Sequence, residues 1–139
     1  MRFYAAGRFR RYADVRAIID LLNHEGHQCT HDWTRTDEFD EHGDALSNLT
    51  DGGDSLSYAR QRFYASKDIA GVAESDYVIV LADDTLLGAW IELGAAIAWE
   101  KYVVVIAPER HRIFFAMPTV RVVESISEMV DLIPPIVAT

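Results

Sequence analysis

Hydrophobic residues fall along this chain in two alternating rhythms. YVIVLA (77–82) and YVVVIA (102–107) are apolar almost throughout, as strands covered on both faces are. RFYAA (2–6) opens the chain as another strand. HQCTHDW (27–33) predicts a further one, and the more polar TVRVV (119–123) reads as an edge. Between these runs the period lengthens. Val15, Ile18, Ile19 and Leu22 recur at i, i+3, i+4 and i+7, which predicts a helix over 12–24 stopped by Gly26. A more polar helix is predicted over 55–73 and a strongly apolar one over 86–99. The last, over 125–133, opens with Ser125 and Glu128 in capping-box spacing and closes at Pro134 and Pro135.

Strands alternating with helices at this spacing predict a parallel sheet with right-handed crossovers. The expected architecture is a single α/β domain over 1–139, flavodoxin-like (Rossmann-like). Its five strands run in order 2-1-3-4-5, with helices on both faces. In such sheets ligands bind beyond the carboxyl ends of the strands, where the order reverses. That rule selects the loop at 7–12, the end of the second strand at 31–34, and the loop leading into the apolar helix. The stretch 37–54, with Gly43, Gly52 and Gly53, reads as a long polar loop of the kind that forms lids.

The apolar helix poses the sharpest chemical question. LLGAWIELGAAIAW (86–99) carries one charge, Glu92, whose helical neighbours at −4, −3, +3 and +4 are Gly88, Ala89, Ala95 and Ala96. A carboxylate ringed by small residues faces a gap wide enough for a packed helix, a second subunit or a ligand ring. A structural acid paired with arginine, or one turned to solvent, is the bland alternative, although a solvated face would carry more than one charge.

Other polar residues are less decisive. Asp83 and Asp84 follow the third strand at its carboxyl end, where they can cap the next helix or meet a ligand. Asp68 lies toward the end of the 55–73 helix, where the helix dipole disfavours an anion. Asp76, at the amino end of a strand, reads as structural. Gly7 ends the first strand as a turn or as a point of close backbone approach to a ligand. Arg8, Arg10 and Arg11 follow it, as phosphate holders or as surface arginines. Trp33 is a base-stacking wall or a core residue. His31 and Asp32 are not expected to form a relay, because adjacent strand residues point to opposite faces.

Composition narrows the classes. The chain has 139 residues, 50% of them hydrophobic, enough for one core. A net charge of −9 argues against a nucleic-acid polymer as partner, since such binders neutralise phosphates with Lys and Arg. Charge is nonetheless uneven: five arginines lie within 2–16, against seven acids and no Lys or Arg within 37–54. Cys29 is the single cysteine and is expected to be a small core residue. With no signal-peptide pattern, it points to the cytoplasm. The 86–99 run is shorter than the ~20 residues of a membrane span, so no membrane association is expected. No metal-ligand spacing occurs among His24, His27 and the acids of 37–54, and neither metal nor cofactor is expected.

Three segments together resemble the nucleoside 2-deoxyribosyltransferase superfamily, which includes the 2′-deoxynucleoside 5′-phosphate N-hydrolases. YAAG (4–7) is similar to the family's first strand, with a tyrosine near the sugar. KDIAGVAESDYVIV (67–80) places Asp68 and Asp76 as the family places its helix aspartate and the aspartate before the next strand. GAWIELGAA (88–96) matches its nucleophile motif at Gly88, Glu92, Leu93, Gly94 and Ala96, and runs on into KYVVVI (101–106). The resemblance implies that Glu92 is a nucleophile, that Asp68 orients Glu92 or the sugar hydroxyls, and that Tyr4 hydrogen-bonds there. Gly7, Arg8, Arg10, Trp33, Asp83 and Gly88 are the expected substrate-binding positions. Asp83 or Asp84 is the candidate acid for the leaving base. The sequence departs from the family at Leu86, with Thr85 beside it, where the nucleotide hydrolases carry a phosphate-holding serine. GRFRRY (7–12) is also poorer in glycine than their loop.

The reading is therefore N-glycosidic bond cleavage in a (deoxy)nucleoside or its 5′-monophosphate, by hydrolysis or by transfer to a second base. The alternatives are a non-catalytic nucleotide- or nucleotide-sugar-binding module and an enzyme cleaving NAD at its nicotinamide ribose. A homo-oligomer, a dimer or larger, is expected both from the resemblance and from the apolar helix bearing Trp90 and Trp99.

Overall fold

The structure, a computed structural model, describes residues 1–35, 57–83, 88–107 and 113–133. Five parallel strands form one sheet: β1 (Arg2–Gly7), β2 (Gln28–Cys29), β3 (Tyr77–Leu81), β4 (Tyr102–Ile106) and β5 (Val120–Val123). Their order is β2-β1-β3-β4-β5, as expected. The helices are α1 (Tyr12–His24), α2 (Tyr58–Glu74), α3 (Gly88–Ala98) and α4 (Ile126–Leu132). Among the described residues, no helix is long and apolar enough to cross a membrane.

The sheet is central because its middle strands are apolar on both faces. Every residue of β3 is buried, as are Val103, Val104, Val105 and Ile106 of β4. Register follows from this: Tyr4 pairs with Val78 and Gly7 with Leu81, which aligns the carboxyl ends of β1 and β3. On one face α1 packs so closely that a Cβ on Gly7 would lie 2.6 Å from Val15 Cγ2. Gly7 is therefore required for helix packing, whatever it does for a ligand. The opposite face, where Tyr4 points, is covered by α2.

Helix ends follow local chemistry. α1 stops where Gly26 takes φ 94° and His27 N–H donates to Leu22 O at 3.0 Å. α3 stops in the same way at Glu100, φ 56°, with Lys101 N–H donating to Ala96 O at 2.8 Å. Ser125 caps α4 by accepting from Glu128 N–H, and the Glu128 carboxylate reaches back to the Glu124 amide. α2 starts after Ser57, whose hydroxyl accepts from Arg60 N–H, while positions 55 and 56 of the expected helix lie outside the described residues.

β2 is the main departure. A strand is expected over 27–33, but pairing ends at Cys29. Thr30 turns aside to donate to Gly71 O at 2.7 Å, and Asp32 accepts from Thr34 N–H at 3.0 Å, starting the 3₁₀ turn Trp33–Arg35. Short polar side chains that bond nearby backbone compete with strand pairing, and on an edge strand they win.

Beneath β1, buried His27 has Nδ1 2.9 Å from the Tyr77 hydroxyl. Burial, then the N-terminal ammonium, lowers the His27 pKa. Below about pH 6.5 an unfolded chain takes up a proton that the fold resists, so stability conferred here at neutral pH is lost on acidification. Thermal melts at pH 7.5 and 5.5 are expected to show a smaller drop for His27→Gln than for the parent. An equal drop would exclude His27 as a source of acid sensitivity.

Candidate active site

Three elements deliver the central cluster. β1 directs Tyr4 under α2 and α3, α2 supplies Asp68, and α3 supplies Glu92. Side chains on a helix lean toward its N-terminus, so Glu92 lies over the Gly88 turn. A Cβ added at Gly88 would meet nothing within 4 Å among the described residues. Gly88 itself is exposed, so α3 opens to solvent at that turn.

Glu92 is half-buried as a residue, yet its Oε2 is shut off from water and has no hydrogen-bond partner. Among the described residues no cation pairs with it. Burial pushes its pKa up to about 8, and the nearby Asp68 charge adds to the rise. By strict geometry Tyr4 Oη also lacks a partner. It stands close enough to donate loosely to the Glu92 carboxylate, and this contact draws the Glu92 pKa back down. The Tyr4 hydroxyl is itself raised well above the usual tyrosine range, first by burial and then by the charges of Glu92 and Asp68. It therefore remains a neutral donor between two carboxylates.

His31 completes the cluster. Its Nε2 is 3.4 Å from Asp68 Oδ1, an ion-pair distance outside hydrogen-bond geometry, and Nε2 is buried without a partner. Gly71, three residues after Asp68, makes the arrangement possible. A Cβ there would lie 2.8 Å from Tyr4 Cδ2 and 3.0 Å from His31 Cβ. Sequence reasoning weighed His31 only against Asp32. That relay is indeed absent, since Asp32 is held by Arg35 and Thr34. The partner is on α2 instead, a contact that no local spacing could reveal. Gly71 went unnoticed because a helical glycine carries no sign of what packs on it.

The remaining candidates lie apart from this cluster or beyond the described residues. Arg8 Nη1 is 3.9 Å from Asp83 Oδ2, bridging the carboxyl ends of β1 and β3 where a ligand was expected. Arg10 is exposed, and Arg11 pairs with Asp14 at 3.0 Å. Trp33 corrects the stacking-wall expectation. It is 7% exposed, donates from Nε1 to Ala5 O at 2.7 Å and packs against Phe9, so its ring belongs to the core. Half-buried Cys29 has its thiol pKa pushed up to about 12 by burial, which makes it a packing residue. Asp76 accepts from Arg2 N–H at 2.8 Å, a structural role. Asp84, Thr85, Leu86 and the 37–54 loop lie outside the described residues. Among the described residues, no group of three His, Cys, Asp or Glu side chains could hold a metal ion.

No family model matches this sequence, and no curated protein matches it. In structure the chain is similar to the CMP N-glycosidase BcmB of Clostridium botulinum, at 14% identity and a TM-score of 0.60. The match covers 96% of this chain and 100% of that one. At this identity the likeness is one of fold, and it agrees with the fold that the sequence resemblance implied.

Proposed function

We propose that this chain cleaves the N-glycosidic bond of a nucleoside or nucleoside 5′-monophosphate, with Glu92 as nucleophile. The observation that carries the reading is the Glu92 carboxylate, whose Oε2 is buried without a hydrogen-bond partner. A desolvated anion without a counter-charge is costly in a resting protein. It is well matched to a sugar whose anomeric carbon gains positive charge as the base departs.

In this scheme a Glu92 oxygen attacks C1′, and the electron pair of the C1′–N bond leaves with the base, which takes a proton from an acid such as Asp83. Water then hydrolyses the glycosyl ester, or a second base accepts the sugar. Asp68 orients the sugar hydroxyls and Tyr4 steadies the carboxylate. Arg8 and Arg10, near the carboxyl end of β1, suit a 5′-phosphate. The structurally similar protein is named for a nucleoside monophosphate and for glycosidase action, which favours the phosphorylated substrate and water as acceptor. The expected homo-oligomer finds support in Ile91 and Trp99, 67% and 46% exposed at α3.

The direct test is chromatography of ribo- and deoxyribonucleosides and their 5′-monophosphates, incubated with the protein, for released base. The nucleophile must be ionised and its pKa lies at about 8. On the acid side kcat/KM is therefore expected to rise about tenfold per pH unit and to level off near pH 8. A profile flat from pH 5 to 9 would remove Glu92 from the role.

A further inference from the structure

Asp68 has a side chain 32% exposed, so it has room to swing outward into water. Nothing on α2 itself holds it inward. His31 stands on the other side of it, and His31 is firmly placed. Thr30, the preceding residue, donates from its hydroxyl to Gly71 O at 2.7 Å and from its amide to Phe3 O at 2.8 Å. Gly71 lies directly under the His31 Cβ. The segment that bears His31 is thereby fixed to both β1 and α2, and the buried Nε2 lies 3.4 Å from Asp68 Oδ1.

We propose that His31 is a positioning residue: it holds the Asp68 carboxylate inward, against Tyr4 and Glu92, in the orientation from which Asp68 meets substrate. The inference rests on the glycosidase reading for what Asp68 does, but not for where Asp68 stands. The ionisable groups near His31 among the described residues are Asp68 on α2, Tyr4 on β1 and, beyond Tyr4, Glu92 on α3. On its own segment Cys29 has a raised pKa, and Asp32 is engaged by Arg35. Asp68 is thus the one carboxylate among them that His31 reaches at ion-pair distance.

The position of Asp68 can be read from Glu92, because the Asp68 charge helps to raise the Glu92 pKa. Carbon-13 NMR of the glutamate carboxyls follows that titration without substrate. Three variants are compared with the parent and with Asp68→Asn alone: His31→Ala, His31→Gln, and His31→Ala combined with Asp68→Asn. His31→Ala frees Asp68 to turn outward, so the Glu92 pKa is expected to fall by about one unit. His31→Gln keeps a polar side chain of similar reach beside Asp68 and is expected to stay near the parent. The double variant should match Asp68→Asn alone, since His31 acts only through that carboxylate.

Base release should follow the same order, falling about 10–100-fold in kcat/KM for Ala and recovering to within several-fold for Gln. A Glu92 pKa unmoved by His31→Ala, or raised in both single variants, would overturn the proposal. The first outcome would make His31 merely structural, and the second would make it a counter-charge. If the titrations behave as expected while no base is released from any substrate, the functional reading fails and the positioning role stands.

Discussion

Glu92→Gln is expected to lower base release by about three orders of magnitude or more and, at the same time, to raise the melting temperature. The two effects share one cause. In the folded chain the Glu92 pKa is about 8, far above its ordinary value, so the fold favours the protonated side chain and resists the anion. A group whose folded pKa is raised gives its full support below its unfolded pKa and loses it as pH climbs toward the folded one. Between about pH 4.5 and 8 the parent therefore weakens by as much as about 1.4 kcal/mol per pH unit from this group, a few kcal/mol in all. Glutamine has no such titration. Its melting temperature should exceed the parent's by roughly 10 °C at pH 8.5, with the difference vanishing near pH 5. Differential scanning fluorimetry across that range checks it. A constant difference would mean that the carboxylate is not held in a dry site.

Gly71→Ala should be destabilising, which reverses the usual preference of a helix interior for alanine of about 1 kcal/mol. The added methyl would press on the Tyr4 ring at 2.8 and 3.0 Å and on the His31 Cβ at 3.0 Å. The Tyr4 ring is fully buried and has no space to yield into, so α2 must lift from the sheet. A net loss of about 1–3 kcal/mol is expected, together with a fall in kcat as Tyr4 and Asp68 shift from Glu92. Gly94→Ala is the matched control. A Cβ there meets nothing within 4 Å, so the same change on α3 should be neutral or stabilising by up to about 1 kcal/mol. Equal effects at the two sites would show that Gly71 is not a contact point, and would remove the basis for treating Tyr4, His31 and Asp68 as one packed group.

The sheet could be read before any coordinates because its pattern is local. The unbroken apolar runs of β3 and β4 sort them to the centre, and the single spaced stripe of α1 allows one helix only. Glu92 was legible for a related reason: a charge among glycine and alanine is out of place by composition alone. Tyr4 came through resemblance, whereas Asp68 was marked also by its place toward the end of a helix, where the dipole disfavours an anion. His31 was not legible. Its meaning depends on an aspartate more than thirty positions later, and on a strand that stops short because Thr30 and Asp32 bond elsewhere. Trp33 was open to two readings, a stacking wall or a core residue, and its burial selects the core. An aromatic at a strand end suggests a surface for stacking, but its indole N–H found the Ala5 carbonyl and drew the ring inward.

The Thr30 hydroxyl, donating toward both Phe3 O and Gly71 O, sews the sheet edge to α2. Tyr4, His31 and Asp68 are carried on that sewn portion, while Glu92 arrives separately on α3. Redesign can use this division of labour. On the proposed glycosidase reading, libraries confined to α3 outside Glu92 would vary the leaving group while Tyr4, His31 and Asp68 stay in place, whereas randomising around Thr30 would disturb all three.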